Sequence, residues 1–378
     1  MSLIDQHIND PVILCSIIVF IGTIMIQLYY TFFIFYKLAF YNSYKPKQNP
    51  DIPVSVIIAA RNESSALRKN LASILNQEHP EFEVIVVNNN SLDDSHEVLK
   101  EYQKKFKNLN IVLLDNPKYI TKGKKLPLTL GIKAAKYEHL VFTDADCSPM
   151  SSKWLNRMAQ KFQEGNEIVL GYGPHKKKKT WINKMIRFDT AWIGINYFAF
   201  ALKGMPYMGV GRNLAYTKTA YNRVSGFKSH YSLASGDDDL FIQEASEKAS
   251  LGIQIESESF CESDAKKTWS DWMNQKSRHY TTSVKYGFIK KGLLATYPIT
   301  LIAAWFSFVS LMILGAFPLL YIIAIVLFTL IKWWIQGKCL NRLAEEKFAL
   351  FFPFWDIFYA FLIPIIYFLA KNKKNKDW

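Results

Sequence analysis

Residues 11–36, PVILCSIIVFIGTIMIQLYYTFFIFY, carry no charged side chain. A run of this length is ample for a helix crossing a hydrocarbon core of about 30 Å. It is too long for a signal peptide, follows an acidic rather than a basic segment, and precedes no small-residue cleavage site, so it reads as a retained anchor. The apolar tract from Leu293 to Ile335 is about twice one span, with Gly315 and Pro318 near its middle, which predicts two helices joined by a tight turn. Phe348 to Ala370 is a further candidate. There Asp356, Pro353 and Pro364 point instead to a broken or interfacial helix, because a lone carboxylate in lipid is costly. The expected number of spans is two to four.

Basic residues near the spans set the expected orientation. Asp5 and Asp10 precede the first span, whereas Lys37, Lys45 and Lys47 follow it, and Lys290 and Lys291 precede the second. Positive charge stays inside, so the middle region is expected in the cytosol. The tail KNKKNK is also basic, which would need an even number of crossings after the middle region and so places residues 348–370 in the interface or in a re-entrant loop. The expected division is an anchor over 1–45, a cytosolic domain over 51–290, and a membrane region with a basic tail over 291–378. The net charge of +14 suits anionic headgroups and an anionic small substrate, and the membrane spans argue against nucleic acid as the partner. Four cysteines, Cys15, Cys147, Cys261 and Cys339, lack CxxC spacing, so neither a zinc site nor a disulfide framework is expected.

The middle region alternates between two periodicities. VSVIIAA (54–60), EVIVVN (83–88), NIVLLD (110–115) and HLVFTD (139–144) read as buried strands. SSALRKNLASILNQ, DDSHEVLKEYQKKF and KKLPLTLGIKAAKY read as the helices between them. Such alternation predicts a parallel sheet covered on both faces, with ligands at the carboxyl ends of the strands. Four tips are thereby singled out: Ala60 to Glu63, Asn88 to Ser91, Asp115 with Asn116, and Thr143 to Asp146.

At the last tip, Asp144 and Asp146 stand two residues apart. In extended geometry both side chains point the same way and can share one hard cation, Mg²⁺ or Mn²⁺, which would bridge nucleotide phosphates. The other reading of the pair is a polar strand end without a ligand. Downstream, SGDDDLF (235–241) places three carboxylates in a row, close enough for one to have a raised pKa. In GVGRNLAY (209–216) the glycines let the backbone approach a ligand, with Arg212 and Asn213 as sugar or acceptor contacts, or else the segment is a turn between strands. Gln275 and Arg278, three apart, share a helix face from which Arg278 can pair with a diphosphate.

VSVIIAARNE, VIVVNNNSLDDS, GKKLPLTLGIKAA and VFTDADCSP, followed by GVGRNLAY, SGDDDLF and QKSRH, occur in the order and spacing of the family 2 glycosyltransferases. The chain resembles that family over roughly residues 53–290. The resemblance implies a GT-A fold, a Rossmann-like mixed sheet with flanking helices, carried between N- and C-terminal transmembrane helices. It implies that Asp144 contacts ribose or metal and that Asp146 coordinates the metal on the diphosphate. Ala60, Arg61 and Glu63 would line the nucleotide pocket, Asn89 would stand where the family often has a base-reading aspartate, and Lys124 would lie near the phosphates or base. The other reading of Lys124 is a solvated lysine, and that of the Asn88–Asn90 run a plain turn. Asp237 aligns with the family's catalytic base, with Asp238 as the fallback. A base on one side and a metal-bound leaving group on the other imply a single displacement with inversion. His279 replaces the tryptophan of the family's QxxRW motif, which argues for adding one sugar rather than polymerising.

The basic run HKKKK (175–179) and the aromatic segment after it, WINKMIRFDTAWIGINYFAFALKG, read either as a membrane-docking helix that delivers a lipid acceptor or as a core helix. The docking reading is the one adopted. The expectation is thus a metal-dependent, inverting hexosyltransferase that uses Mn²⁺ or Mg²⁺, a nucleotide-diphosphate sugar donor and a lipid or lipid-linked acceptor. Its rivals are a processive polysaccharide synthase and an inactive nucleotide-sugar-binding scaffold. Abundant Lys, Asn, Ile and Phe suggest an AT-rich bacterial genome, and with it the inner membrane.

Overall fold

The computed structural model describes residues 10–42, 50–115, 123–315 and 317–371. These divide into two compact units, one from the described residues of Met1–Tyr41 and Tyr286–Asn372, the other from those of Asn42–Lys285. In chain order the first unit opens with α1 (Pro11–Tyr29), continued through a π-helical turn at Tyr30–Phe35 and a last turn at Tyr36–Ala39. The second unit follows with β1 (Val54–Ala60), α2 (Ser64–Leu75), β2 (Phe82–Asn89), α3 (Ser95–Lys105), β3 (Leu109–Leu114), α4 (Lys125–Ala134) and β4 (His139–Asp144). Next come β5 (Cys147–Pro149), α5 (Trp154–Gln163), β6 (Ile168–Leu170), α6 (Trp181–Leu202), β7 (Leu214–Thr217) and α7 (Lys218–Arg223). The unit ends with α8 (Asp239–Ala245), β8 (Leu251–Ile253), β9 (Cys261–Ser263) and α9 (Trp269–Ser283). The chain then returns to the first unit with α10 (Phe288–Ile313), α11 (Pro318–Arg342), α12 (Glu346–Leu350) and α13 (Phe352–Lys371).

Every residue of β1 is buried, as are all of β2 beyond Phe82, so these strands lie inside a sheet covered on both faces. Seven strands pair in the order β3-β2-β1-β4-β7-β6-β8. The pairs β1–β2, β1–β4 and β2–β3 are parallel, while β7 runs antiparallel to both β4 and β6. The chain steps outward from β1 to β2 and β3, then returns to the far side of β1 for β4. That reversal opens a crevice at the carboxyl ends of β1 and β4, where doubly wound sheets take their ligands. Helix α2 presents Leu67, Leu71 and Ile74 at helical spacing to the core beneath the sheet. Helix α4 lies so close to β1 that a Cβ on Gly131 would stand 2.7 Å from Ile57 Cγ2.

Helix α6 overturns the docking expectation. Its aromatic residues Phe188, Trp192, Tyr197, Phe198 and Phe200 are buried within the chain, and Trp181 at its start is exposed. The preceding lysines pair with acidic residues around β9: Lys176 Nζ lies 3.7 Å from Glu262 and Lys178 Nζ 2.8 Å from Asp264. The lack of charge along this segment reflects a core helix.

In the first unit, α1, α10, α11 and α13 are each long and apolar enough to cross a membrane. The sequence expects residues 348–370 in the interface or a re-entrant loop, on the grounds of the basic tail, two prolines and Asp356 as a lone carboxylate. The structure removes the last of these grounds, because Asp356 is buried and paired. Its Oδ2 lies 2.6 Å from Lys332 Nζ, and its Oδ1 accepts a 2.9 Å hydrogen bond from the Tyr297 hydroxyl. Pairing removes most of the reason for keeping a carboxylate out of the bilayer.

Candidate functional site

The register of the sheet brings three strand tips level. Ala60 on β1 stands opposite Asn88 on β2, and Ala59 opposite Asp144 on β4. The loop after β1 is tied to the loop after β2 by four bonds. Asn62 donates its N–H to Ser91 Oγ (2.9 Å), and its Oδ1 accepts from Leu92 N–H (2.7 Å). Glu63 N–H donates to Ser95 Oγ (3.0 Å), and Ser64 N–H to Asp93 Oδ2 (3.0 Å). Burial alone would raise the Asp93 carboxyl, but the Ser95 and Ser64 donors hold it down at about 2, so it stays charged at the start of α2. Asp93 and Ser95 lie within the motif VIVVNNNSLDDS but were given no role from the sequence, since nothing local links them to the loop after β1.

Asp144 and Asp146 sit at the crevice with Cys147, their ligand atoms within 4.8 Å of one another. The sulfur is an unsuitable ligand, because the adjacent Cys261 thiol and burial push the Cys147 thiol well up and keep it protonated. The remaining donors are carboxylate oxygens, the chemistry that Mg²⁺ and Mn²⁺ prefer, so the pair fits a hard divalent ion. Lys124 places its ammonium 2.5 Å from Asp144 Oδ1. Against burial, Lys124 together with Arg212 and Arg278 holds the Asp144 carboxyl below its usual range. Burial and the Asp146 charge push Glu63 up to about 6, with Lys124 pulling the other way. Desolvation, then the charges of Arg278, Lys276, Arg212 and Lys124, lower the imidazole of His279, which is itself exposed on α9, so the ring is neutral at pH 7. Glu63, Lys124, Asp144, Asp146, Arg212 and Arg278 therefore share one electrostatic neighbourhood, in which cationic groups surround an acidic pair.

Asp237 and Asp238 face the same turn. A Cβ on Gly211 would stand 3.7 Å from a carboxylate oxygen of each. Asp238 is occupied in holding the loop, since its Oδ2 accepts from Gly211 N–H (3.1 Å) and its Oδ1 from Asp239 N–H (2.8 Å). Burial, then the charges of Asp237 and Asp239, push Asp238 up to about 8. The third carboxylate, Asp239, accepts a 2.5 Å bond from the Thr282 hydroxyl, which fastens the loop to α9. Helix α9 is also held by the buried Lys276–Asp189 pair at 2.5 Å, and it carries Gln275 and Arg278. Neither half of that pair stands out in the sequence, because nothing local links position 189 to position 276.

Arg212 and Asn213 separate. Arg212 donates through Nε to Gly173 O (2.8 Å), and its charge bears on Asp144. Asn213 is fully buried, with Nδ2 donating to Tyr172 O and Ser259 O and Oδ1 accepting from Trp154 Nε1. It is a structural amide sealed inside the domain and out of reach of an acceptor, which corrects the sequence expectation. Ala60 is buried at the strand end, and Arg61 is half-buried beside it. Asn89 is buried with its Nδ2 unpartnered, and Asn88 likewise leaves its Oδ1 unpartnered. Two buried amide atoms without partners at a strand tip suit a ligand that brings both a donor and an acceptor. Asn116, Lys45, Lys47, Asp5 and the tail after Lys371 lie outside the described residues.

A mixed sheet whose switch-point crevice gathers an acidic pair, a cationic surround and a second carboxylate loop defines an α/β ligand-binding domain of the GT-A type. Residues 55–224 match the family model "Glycosyl transferase family 2", so it is this domain that carries the family likeness. The chain is 36% identical over 93 residues to a poly-beta-1,6-N-acetyl-D-glucosamine synthase of Staphylococcus epidermidis, a match covering 25% of this chain and 21% of the relative. It is 33% identical over 118 residues to the GalNAc(5)-diNAcBac-PP-undecaprenol beta-1,3-glucosyltransferase of Campylobacter jejuni, covering 31% and 37%. These alignments span less than two fifths of each relative's own length. Among solved structures, a mannosyltransferase from Pyrobaculum calidifontis in complex with GDP-Man and Mn²⁺ shares the fold, with a TM-score of 0.56 at 17% identity, over 90% of this chain and 98% of that one.

Proposed function

We propose that the chain is an inverting glycosyltransferase that moves a single hexosyl group from a nucleotide-diphosphate sugar to a lipid or lipid-linked acceptor. The proposed setting is the cytosolic face of a bacterial inner membrane, with residues 51–290 as the catalytic domain. The observation that carries this reading is the grouping of Asp144, Asp146, Lys124, Arg212 and Arg278 beside the Asp237 loop. A diphosphate needs that cationic surround, and a sugar acceptor needs a base on the opposite side. The base edge of the donor would meet Asn88 and Asn89, and the wall beside β1 would be Ala60, Arg61 and Glu63. A bound Mn²⁺ or Mg²⁺ on Asp144 and Asp146 would neutralise the departing diphosphate.

Asp237 would take the proton of the acceptor hydroxyl as its oxygen attacks the anomeric carbon. The bond from that carbon to the diphosphate oxygen breaks, its electron pair leaves with the diphosphate, and Lys124 and Arg278 receive the charge. One displacement inverts the anomeric centre. The Campylobacter relative's name includes a polyprenyl-linked acceptor, the Pyrobaculum structure holds a nucleotide sugar with Mn²⁺, and the apolar helices fit a membrane substrate. The Staphylococcus relative favours a second reading, processive synthesis, against which stands His279 in place of the motif's tryptophan.

The test is nucleotide release by detergent-purified protein across UDP- and GDP-sugars, with Mn²⁺, with EDTA, and with membrane lipid extract as acceptor. Turnover of one donor, abolished by EDTA and lowered by at least about 10³-fold in Asp237→Asn with donor affinity retained, is the expected result. Donor binding with no release under any condition would point to a scaffold. A ladder of product lengths would establish the processive reading.

A further inference from the structure

The turn before α4 carries two adjacent lysines with different partners. Lys124 reaches Asp144. Lys125 is 3% exposed, and its Nζ donates to three backbone carbonyls, those of His230 (2.5 Å), Leu233 (2.9 Å) and Ser235 (2.7 Å). An ammonium has three donors, so this one is saturated and has nothing left to offer a substrate. The three carbonyls lie on the segment that runs directly into Gly236, Asp237 and Asp238. The same turn touches that segment through backbone as well. Gly123 adopts φ +92°, and a Cβ there would stand 2.0 Å from Ala234 O, so only glycine fits. Turn 123–125 is thus stitched to loop 230–235 by one backbone apposition and three charge-assisted hydrogen bonds, while its middle residue, Lys124, grips Asp144.

We propose that Lys125 is a positioning residue, which fixes the Asp237 loop at a set distance from the Asp144 site through this two-residue bridge. The proposal rests on reading Asp237 as the base. It assigns Lys125 no contact with donor, acceptor or metal. Its effect should therefore fall on the chemical step and leave donor affinity alone, since a base displaced by about 1 Å loses roughly 10²-fold in rate.

The experiment compares wild type, Lys125→Met, Lys125→Arg and Thr129→Val in the full chain. Thr129 sits on the same helix, where its hydroxyl bonds Tyr221 and the Lys125 carbonyl, so its removal reports on general loosening of α4. Two readouts are taken: amide hydrogen exchange of peptides covering residues 230–238, and kcat alongside donor KM. Lys125→Met is expected to exchange about tenfold faster or more over 230–238 with the rest of the domain protected. Its kcat should fall roughly 10²-fold with donor KM within about threefold of wild type. Lys125→Arg should recover part of both losses, because a planar fork replaces only some bonds of a tripod, and Thr129→Val should show neither. Unchanged exchange over 230–238 in Lys125→Met would overturn the tether. Loss of donor affinity in step with kcat would overturn it as a positioning device. Should wild type turn over no donor, the glycosyltransferase reading fails, while the exchange measurement still decides whether Lys125 holds the loop.

Discussion

Three consecutive carboxylates at 237–239 have three different employments, and the difference lies in what each side chain touches. Asp238 is spent on the N–H groups of Gly211 and Asp239, and Asp239 on Thr282. Asp237 faces the Gly211 turn. Asp238 also stores a pH dependence. Its folded carboxyl titrates at about 8, above the value of 3.8 expected of an unconstrained aspartate. The native chain thus keeps a proton that the unfolded chain has lost, so this residue's contribution to stability is fully present below pH 3.8 and is lost as pH rises through about 8. Asp238→Asn keeps an oxygen for the Gly211 N–H and carries no titrating proton. Denaturation midpoints taken at about pH 5 and about pH 8 should therefore lie closer together in Asp238→Asn than in wild type. An equal pH slope in the two proteins would remove Asp238 from the account.

At the scale of elements, packing sets the identity of residue 131. Alanine is favoured over glycine inside a helix by about 1 kcal/mol. At this position the added methyl meets a β-branched side chain on a core strand, 2.7 Å away, with Val87 Cγ2 behind it at 3.2 Å. Overpacking of this kind costs about 1–3 kcal/mol. The second effect wins, so Gly131→Ala should lower the denaturant midpoint, and a rise would mean that α4 can move off the sheet. The sequence made the first four strands and the helices between them legible, because continuous apolar runs and 3.6-residue spacing are local signals. It also revealed the acidic pair at the tip of β4, since parallel sheets place ligands there. It misread α6, because burial inside a protein and burial in a membrane surface select the same aromatic residues. It could not reveal the Lys276–Asp189 pair or the work of Lys125, whose partners lie about a hundred residues away and whose types are ordinary on a surface. Asn213 was misassigned for the converse reason: a residue in a striking motif was taken as a contact when its amide completes the core.

At the scale of the whole molecule, the membrane unit is joined by polar groups drawn from all four long helices. Gln27 on α1 donates to Tyr297 O (2.7 Å) and Thr300 Oγ1 (2.8 Å) on α10, and its Oε1 accepts from Lys332 Nζ on α11 (3.0 Å). Lys332 pairs with Asp356 on α13, and the Tyr297 hydroxyl lies between Asp356 Oδ1 (2.9 Å) and Gln336 Oε1 (3.2 Å). Each of these groups would be costly against lipid, and apart from the Gln336 Nε2, which is buried without a partner, they satisfy one another, so the network specifies which helix faces turn inward. An ion pair buried in this way contributes little net stability compared with an apolar pair of similar volume, whereas removing one partner strands a charge at a cost of about 3–5 kcal/mol. Lys332→Met should therefore unfold at a clearly lower temperature in detergent than wild type, and Lys332→Met combined with Asp356→Leu should recover most of the loss. If the double variant were as unstable as Lys332→Met, the lysine would be acting through Gln27 and the aromatic faces of Tyr297 and Phe328, where its ammonium also rests at 4.8 and 5.1 Å. The comparison thus separates charge compensation, which an apolar pair can replace, from a cation seated on aromatic rings, which it cannot.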